Sequence, residues 1–116
     1  MADRIRVLFN PSCSKCRGAK ELLEVRGQDA DYVRYLEERP SREELVVIVR
    51  MLGIDSPRGM MRTGEPIYRE LDLANADDER LLDAMVEHPI LIERPIVLRG
   101  DRAVIARPPE KLLELL

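Results

Sequence analysis

Apolar and polar positions divide this chain into short strand-like runs and longer segments with helical spacing. Residues 5–9 form a short apolar run of strand length, which predicts a buried strand. Asn10, Pro11 and Ser12 are turn formers, residues 18–24 read as helix, and Gly27 is placed to stop it. Residues 32–36 alternate and include Tyr32 and Tyr35, which predicts a second strand, parallel to the first through a right-handed crossover. A helix follows from Ser41, with Glu44 three residues on as the other half of a capping box. Its apolar face is Leu45, Ile48, Val49 and Leu52, and Gly53 ends it.

The second half continues the alternation. Residues 57–61 suggest a short helical turn, whereas residues 66–71 fit no single element. Asp77, Asp78 and Glu79 favour a helix start by charge, ahead of a buried stripe of Leu81, Leu82, Met85 and Val86. Residues 94–98, a Gly100-Asp101 turn and residues 103–106 predict an antiparallel hairpin. Pro108, Pro109 and Glu110 open a last amphipathic helix carrying Leu112, Leu113 and Leu116. The order is β-α-β, a helical middle, then β-β-α. The expected fold class is therefore α/β, thioredoxin-like, with a mixed four-stranded sheet and an inserted helical section at about 41–90.

Composition narrows the class without changing that picture. A length of 116 residues suits one domain, 1–116, able to bury roughly two-thirds of its unfolded surface without staples. Apolar residues at 45% and charged residues at 35% are ordinary for a globular protein. No apolar run approaches the roughly 20 residues needed to span a bilayer. Residues 1–4 lead straight into the first strand without a signal peptide's apolar stretch, and with only one pair of cysteines a reducing cytoplasm is expected; a monomer is the expectation for its assembly. A net charge of −3 argues against general nucleic-acid binding. Lys occurs only at 15, 20 and 111, leaving 16 of the 19 basic residues as Arg, the side chain whose planar fork suits oxyanions.

Both cysteines lie in Cys13-Ser14-Lys15-Cys16, between the first strand and the first helix. A thiol there meets free backbone N–H groups and the positive end of a helix dipole, and both favour the nucleophilic thiolate. In a reducing compartment such a pair points to catalysis or redox sensing rather than to a structural staple. Two cysteines and the single, distant His88 cannot complete a tetrahedral zinc site, so no zinc is expected. His88 precedes Pro89 at a helix end and reads as structural. Arg17 and Lys15 read as solvated contributors to the local potential, and Arg58 fits a structural or a site role equally.

Four blocks give the pattern a family likeness. They are residues 10–13; Arg58 and Arg62 with Glu65, Pro66, Tyr68 and Leu71; residues 88–97; and residues 106–108. Together, in order and over nearly the whole chain, they resemble the glutaredoxin-coupled arsenate reductases. That resemblance implies Cys13 as the nucleophile toward arsenate, with Arg62, Arg94 and Arg107 around the oxyanion; Asn10 and Ser14, beside the thiol, are by their own chemistry candidate donors to the sulfur or the oxyanion. It also implies a cis-proline corner at Arg94-Pro95. No cofactor is bound; reducing equivalents come from an external thiol, glutathione with glutaredoxin or thioredoxin, which are also the expected partners.

Two positions depart from that family's pattern. Phe9 stands where histidine is frequent, so activation of the thiol would rest on the helix terminus and the arginines. Cys16 stands where a hydroxyl residue is usual, which makes it a resolving thiol able to close a disulfide with Cys13 and favours a thioredoxin-type donor. The opening also resembles Spx, a redox-responsive transcription regulator on the same fold that binds the RNA polymerase α subunit. Arg62, Glu65, Pro66, Arg107 and Pro108 fit the enzyme better. A glutaredoxin-like disulfide reductase is the third reading, and it leaves the arginines without a task.

Overall fold

The computed structural model describes residues 4–116; Met1, Ala2 and Asp3, part of the segment read as leading into the first strand, lie outside the described residues. The chain divides into two compact units. The first holds the described residues up to Glu38 together with Arg94–Leu116, and the second is Arg39–Glu93.

The first unit is built on four strands, β1 (Ile5–Leu8), β2 (Ala30–Val33), β3 (Ile96–Arg99) and β4 (Arg102–Ile105), in the order β2-β1-β3-β4. β1 and β2 are parallel, joined through the helix α1 (Ser14–Val25), while β1–β3 and β3–β4 are antiparallel. The sheet is mixed, as the β-α-β and β-β segments require. Ile5, Val7, Val97, Ala19, Leu23, Leu112 and Leu115 are buried in one cluster that includes both cysteines. Gly100 takes φ 63°, a left-handed conformation that costs a residue with a Cβ, and so makes the tight β3–β4 turn.

β2 lies two residues earlier than the alternation at 32–36 suggests. Its parallel register with β1 ends at Leu8 opposite Val33, and one further bond, Phe9 N to Val33 O at 2.8 Å, closes the ladder. Glu37 and Glu38 then donate back to the Arg34 carbonyl, so Tyr35 sits in a turn and yet is fully buried. The last helix also differs. Pro109–Leu115 is a 3-10 helix, which brings residues three apart onto one face. Leu112 and Leu115 are therefore buried, while Leu116 is 41% exposed.

The second unit is helical: α2 (Arg42–Leu52), α3 (Pro66–Glu70) and α4 (Asp78–Glu87), with 3-10 turns at Pro57–Met60, Leu73–Asn75 and Pro89–Leu91. The capping box is formed, Glu44 N donating to Ser41 Oγ at 3.1 Å and Ser41 N to Glu44 Oε1 at 3.4 Å. Gly53 closes α2 at φ 70°. In α4, Leu81, Leu82, Ala84 and Met85 are buried, and Val86 only half so. Residues 66–71, which fit no element by pattern, begin as a five-residue helix with Pro66 at its first position, where a missing N–H costs nothing. Arg42 bridges α2 to α4 through Glu79 and Asp83. No helix among the described residues is long and apolar enough to cross a membrane.

Arg58 is a rivet of this unit. Its guanidinium donates to the Tyr68 hydroxyl and the Leu73 carbonyl, each at 3.0 Å, and to the Ala76 carbonyl at 2.9 Å. Those bonds tie Pro57–Met60 to α3 and to the Leu73–Asn75 turn. Arg58→Met keeps the stem but strips three acceptors of their donor. We expect a loss of about 2 kcal/mol in urea unfolding, from desolvated acceptors left unpaired; a loss below a few tenths would mean that these bonds carry nothing.

Candidate active site

The topology delivers chemistry to one end of the four-stranded sheet. Chain leaves β1 at Leu8 and β2 at Val33, enters β3 at Ile96 and leaves β4 at Ile105. In the register of the ladders these four positions lie side by side, Leu8 against Val33 and Ile96, and Ile96 against Ile105. Asn10 to Cys13, Tyr35, Arg94-Pro95 and Arg107-Pro108 all follow from that edge. Both Arg94-Pro95 and Arg107-Pro108 are cis; the resemblance implied the first, and the second was not foreseen.

Cys13 is the N-cap residue of α1, so the helix begins four residues before the segment that reads as helix by pattern. Cys13 and Cys16 thus stand at N-cap and N3 of one helix, and both thiols are free. The turn that presents them is local. Cys13 N donates to Asn10 O at 3.0 Å, and Ser12 N to Asn10 Oδ1 at 3.0 Å, an Asx turn. The Asn10 side chain shapes this turn, whereas its backbone N–H reaches Cys16 Sγ at 3.4 Å. Ser14 is exposed at the first helical position.

The two sulfurs are driven in opposite directions. Burial pushes the Cys13 thiol up, but the Arg94 side chain, the N–H of Cys16, the Cys16 thiol and the N–H of Lys15 outweigh it and bring it down to about 7. The sulfur faces those N–H groups without completing a cap hydrogen bond, so their effect is that of aligned dipoles. Cys16 is fully buried, and burial first, then the nearby Cys13 sulfur, push it up to about 12 despite the Asn10 N–H. Near neutral pH Cys13 is divided between thiol and thiolate while Cys16 stays a thiol, and the Arg94 cation bears on both. Of the two, the outer sulfur has the greater thiolate fraction, which is the nucleophilic form.

Phe9 occupies the position where the family likeness suggests histidine, and it carries no proton. Its ring meets Tyr32 edge-on at 5.4 Å, with Lys20 Nζ 5.9 Å from the Phe9 centroid and 5.3 Å from that of Tyr32. Thiol activation accordingly falls to Arg94 and the helix terminus.

Tyr35 is the residue that pattern reading missed. It is fully buried, its hydroxyl makes no formed hydrogen bond, and it lies within electrostatic reach of the Arg94 guanidinium, whose Nε is also buried without a partner. Burial pushes its phenol up to about 12 against the pull of Arg94, so it remains protonated at neutral pH. The available signal was a tyrosine just past a strand end on the cysteine edge of the sheet, which an alternating pattern presents as one more strand residue.

The structure treats the three candidate arginines differently. Arg94 lies against the Cys13 sulfur. Arg107 is exposed and donates through Nη1 to the Arg94 carbonyl at 3.0 Å, which ties the two cis-proline corners together. Arg62 belongs to the second unit, where its Nη1 pairs with Glu65 Oε1 at 2.9 Å and its N–H donates to Leu91 O at 2.7 Å. His88 caps α4, donating to Ala84 O at 2.7 Å. No cluster of three or more His, Cys, Asp or Glu side chains suited to a metal occurs among the described residues.

The ArsC family model matches residues 8–115, nearly the whole chain and all of the sheet edge just described. The chain belongs to the ArsC family. A protein named arsenate reductase from Neisseria meningitidis is 46% identical over 110 residues, 93% of this chain and 94% of the relative. A solved structure titled arsenate reductase from Vibrio cholerae superposes with a TM-score of 0.96 at 44% identity, covering all of both chains. The uncharacterized protein YfgD of Escherichia coli is 40% identical over 117 residues, 99% of this chain and 98% of its own. As in other ArsC structures, the fold is a mixed four-stranded sheet with helices, and it is thioredoxin-like.

The electrostatics of this ArsC site make a direct prediction. Alkylation of Cys13 by iodoacetamide should follow a titration with its midpoint near 7. Arg94→Leu removes the cation that favours the thiolate, so the midpoint should rise, by about one unit or roughly 1.4 kcal/mol. An unshifted midpoint would remove Arg94 from the activation of the thiol.

Proposed function

We propose that the protein reduces arsenate to arsenite, with Cys13 as nucleophile and Cys16 as resolving thiol. The observation that carries this reading is the split pair: an activated Cys13 under Arg94 at a helix N-terminus, backed by a buried, protonated Cys16. Relatives of nearly equal length that bear the name arsenate reductase support the choice of substrate.

The chemistry follows from those parts. Arsenate is a tetrahedral anion, and a thiolate approaches it only if cations offset the repulsion of like charges. Arg94 supplies that offset at the sulfur, and Arg107, held on the Arg94 carbonyl, adds a second forked donor. Arg62 is carried into this clamp by motif resemblance, and Asn10 and Ser14 are proposed as donors from their place at the turn that holds Cys13. The Cys13 sulfur displaces one arsenate oxygen, which leaves as water after taking up protons. Cys16 then attacks the Cys13 sulfur; the S–As electron pair stays on arsenic, which falls from the pentavalent to the trivalent state, and the Cys16 proton passes to the departing arsenite. Two thiols and arsenate have become a disulfide, arsenite and water. An external dithiol, of thioredoxin type or glutaredoxin with glutathione, returns the disulfide to two thiols. No bound metal or cofactor is required. The reading takes 1–116 as one functional domain working as a monomer in a reducing cytoplasm.

An Spx-like regulator would need the cysteine switch but no oxyanion clamp, and a plain disulfide reductase would leave Arg94 and Arg107 idle. The test is arsenate-dependent NADPH consumption, coupled in turn to the thioredoxin and the glutaredoxin–glutathione systems. Cys13→Ser should abolish turnover with both. Cys16→Ser should cut the thioredoxin-coupled rate by at least about a hundredfold, the loss of an internal nucleophile held in place. Full glutathione-coupled activity in Cys16→Ser would contradict the internal disulfide. No turnover with either donor, together with capture of the polymerase α subunit, would overturn the enzyme reading.

A further inference from the structure

Arg94 has to do two things at once, which its surroundings make demanding. It must face the Cys13 sulfur, and it must satisfy a fork of five N–H donors in a setting where its Nε is shut off from water. A buried donor without a partner is destabilising, and one that can find several partners does not hold a single orientation. Beside it stands the Tyr35 hydroxyl, equally buried and equally without a formed hydrogen bond. Two orphaned polar atoms in mutual reach at a nucleophilic sulfur are not a packing accident, because most buried polar atoms in folded proteins are satisfied.

The geometry points to Tyr35 as a positioning residue: its hydroxyl oxygen accepts an N–H of Arg94 as the guanidinium engages the charged sulfur or its oxyanion adduct, and so holds the fork over Cys13. This rests on the reading of Cys13 as the nucleophile and goes beyond it, by naming what fixes the cation. Tyr35 suits the task. It is reached from the end of β2, next to the β1 end that carries Cys13, and the bonds of Glu37 and Glu38 to the Arg34 carbonyl fix its turn. As a neutral acceptor it orients Arg94 without competing for its charge, whereas a carboxylate in that place would neutralise the cation. Among the described residues, Arg94, Cys16 and the Tyr35 phenol bear on the Cys13 sulfur, and the stronger influence of Tyr35 is the one it exchanges with Arg94.

Alkylation of Cys13 against pH, with no arsenate present, reads this directly in wild type, Tyr35→Phe, Arg94→Leu and the double variant. Tyr35→Phe should lower the rate below the midpoint roughly threefold, half a unit on a scale where one unit is tenfold. In the Arg94→Leu background it should add nothing further. Tyr35→Met, also without a hydroxyl but different in shape, should give the same shift. The hydroxyl has no formed hydrogen bond to lose, so a purely structural role would move the thermal midpoint and leave the alkylation profile alone. An unshifted profile in Tyr35→Phe, or an equal shift in both backgrounds, overturns the proposal. Arsenate turnover is measured separately: its absence would sink the substrate assignment and leave the Tyr35 result standing.

Discussion

Everything at this site depends on the meeting of one sulfur with one guanidinium at the start of α1. Burial alone would keep Cys13 a thiol; Arg94 and the free N–H groups of the first helical turn reverse that. The reversal is local, since the chain as a whole carries a net charge of −3. A half-buried fork concentrates positive potential at that sulfur in a way that scattered surface lysines could not.

The sheet accounts for why these groups meet. Parallel pairing of β1 with β2 brings their carboxyl ends to one edge, and antiparallel pairing with β3 and β4 brings the start of one and the end of the other to the same edge. Cys13, Tyr35, Arg94 and Arg107, spread over most of the sequence, become neighbours through backbone hydrogen bonding rather than through any affinity for one another. The second cysteine takes part in the same logic. At N3 of α1 it is buried, and burial together with the neighbouring Cys13 sulfur favours its protonated form. The Asn10 N–H on its sulfur is the dipole that would ease the later loss of that proton.

Much of this was legible in the sequence, and the reasons differ from element to element. The capping box at Ser41, the helix stop at Gly53 and the hairpin at Gly100 are local signals, and the structure contains all three. The C-x-x-C placement pointed to an activated thiol because strand-turn-helix geometry is encoded within a dozen residues. What escaped was decided by tertiary pairing. β2 ended at Val33 because the β1 ladder ran out, and that turned Tyr35 from a strand residue into a buried polar neighbour of Arg94. Arg58, undecided by pattern, proved to spend its donors on Tyr68, Leu73 and Ala76. The 3-10 form of Pro109–Leu115 selected Leu115 over Leu116 for burial, a difference of period that a short leucine-rich segment does not reveal.

The central claim is that Cys13 attacks and Cys16 resolves, with both electrons drawn from this one pair. A single-turnover reaction of fully reduced protein with excess arsenate, in the absence of any external thiol, addresses it most directly. The expected products are one arsenite per protein and an intact mass lighter by two hydrogens, with the new bond mapped between Cys13 and Cys16. Protein that stays fully reduced and releases no arsenite until glutathione is added would contradict it.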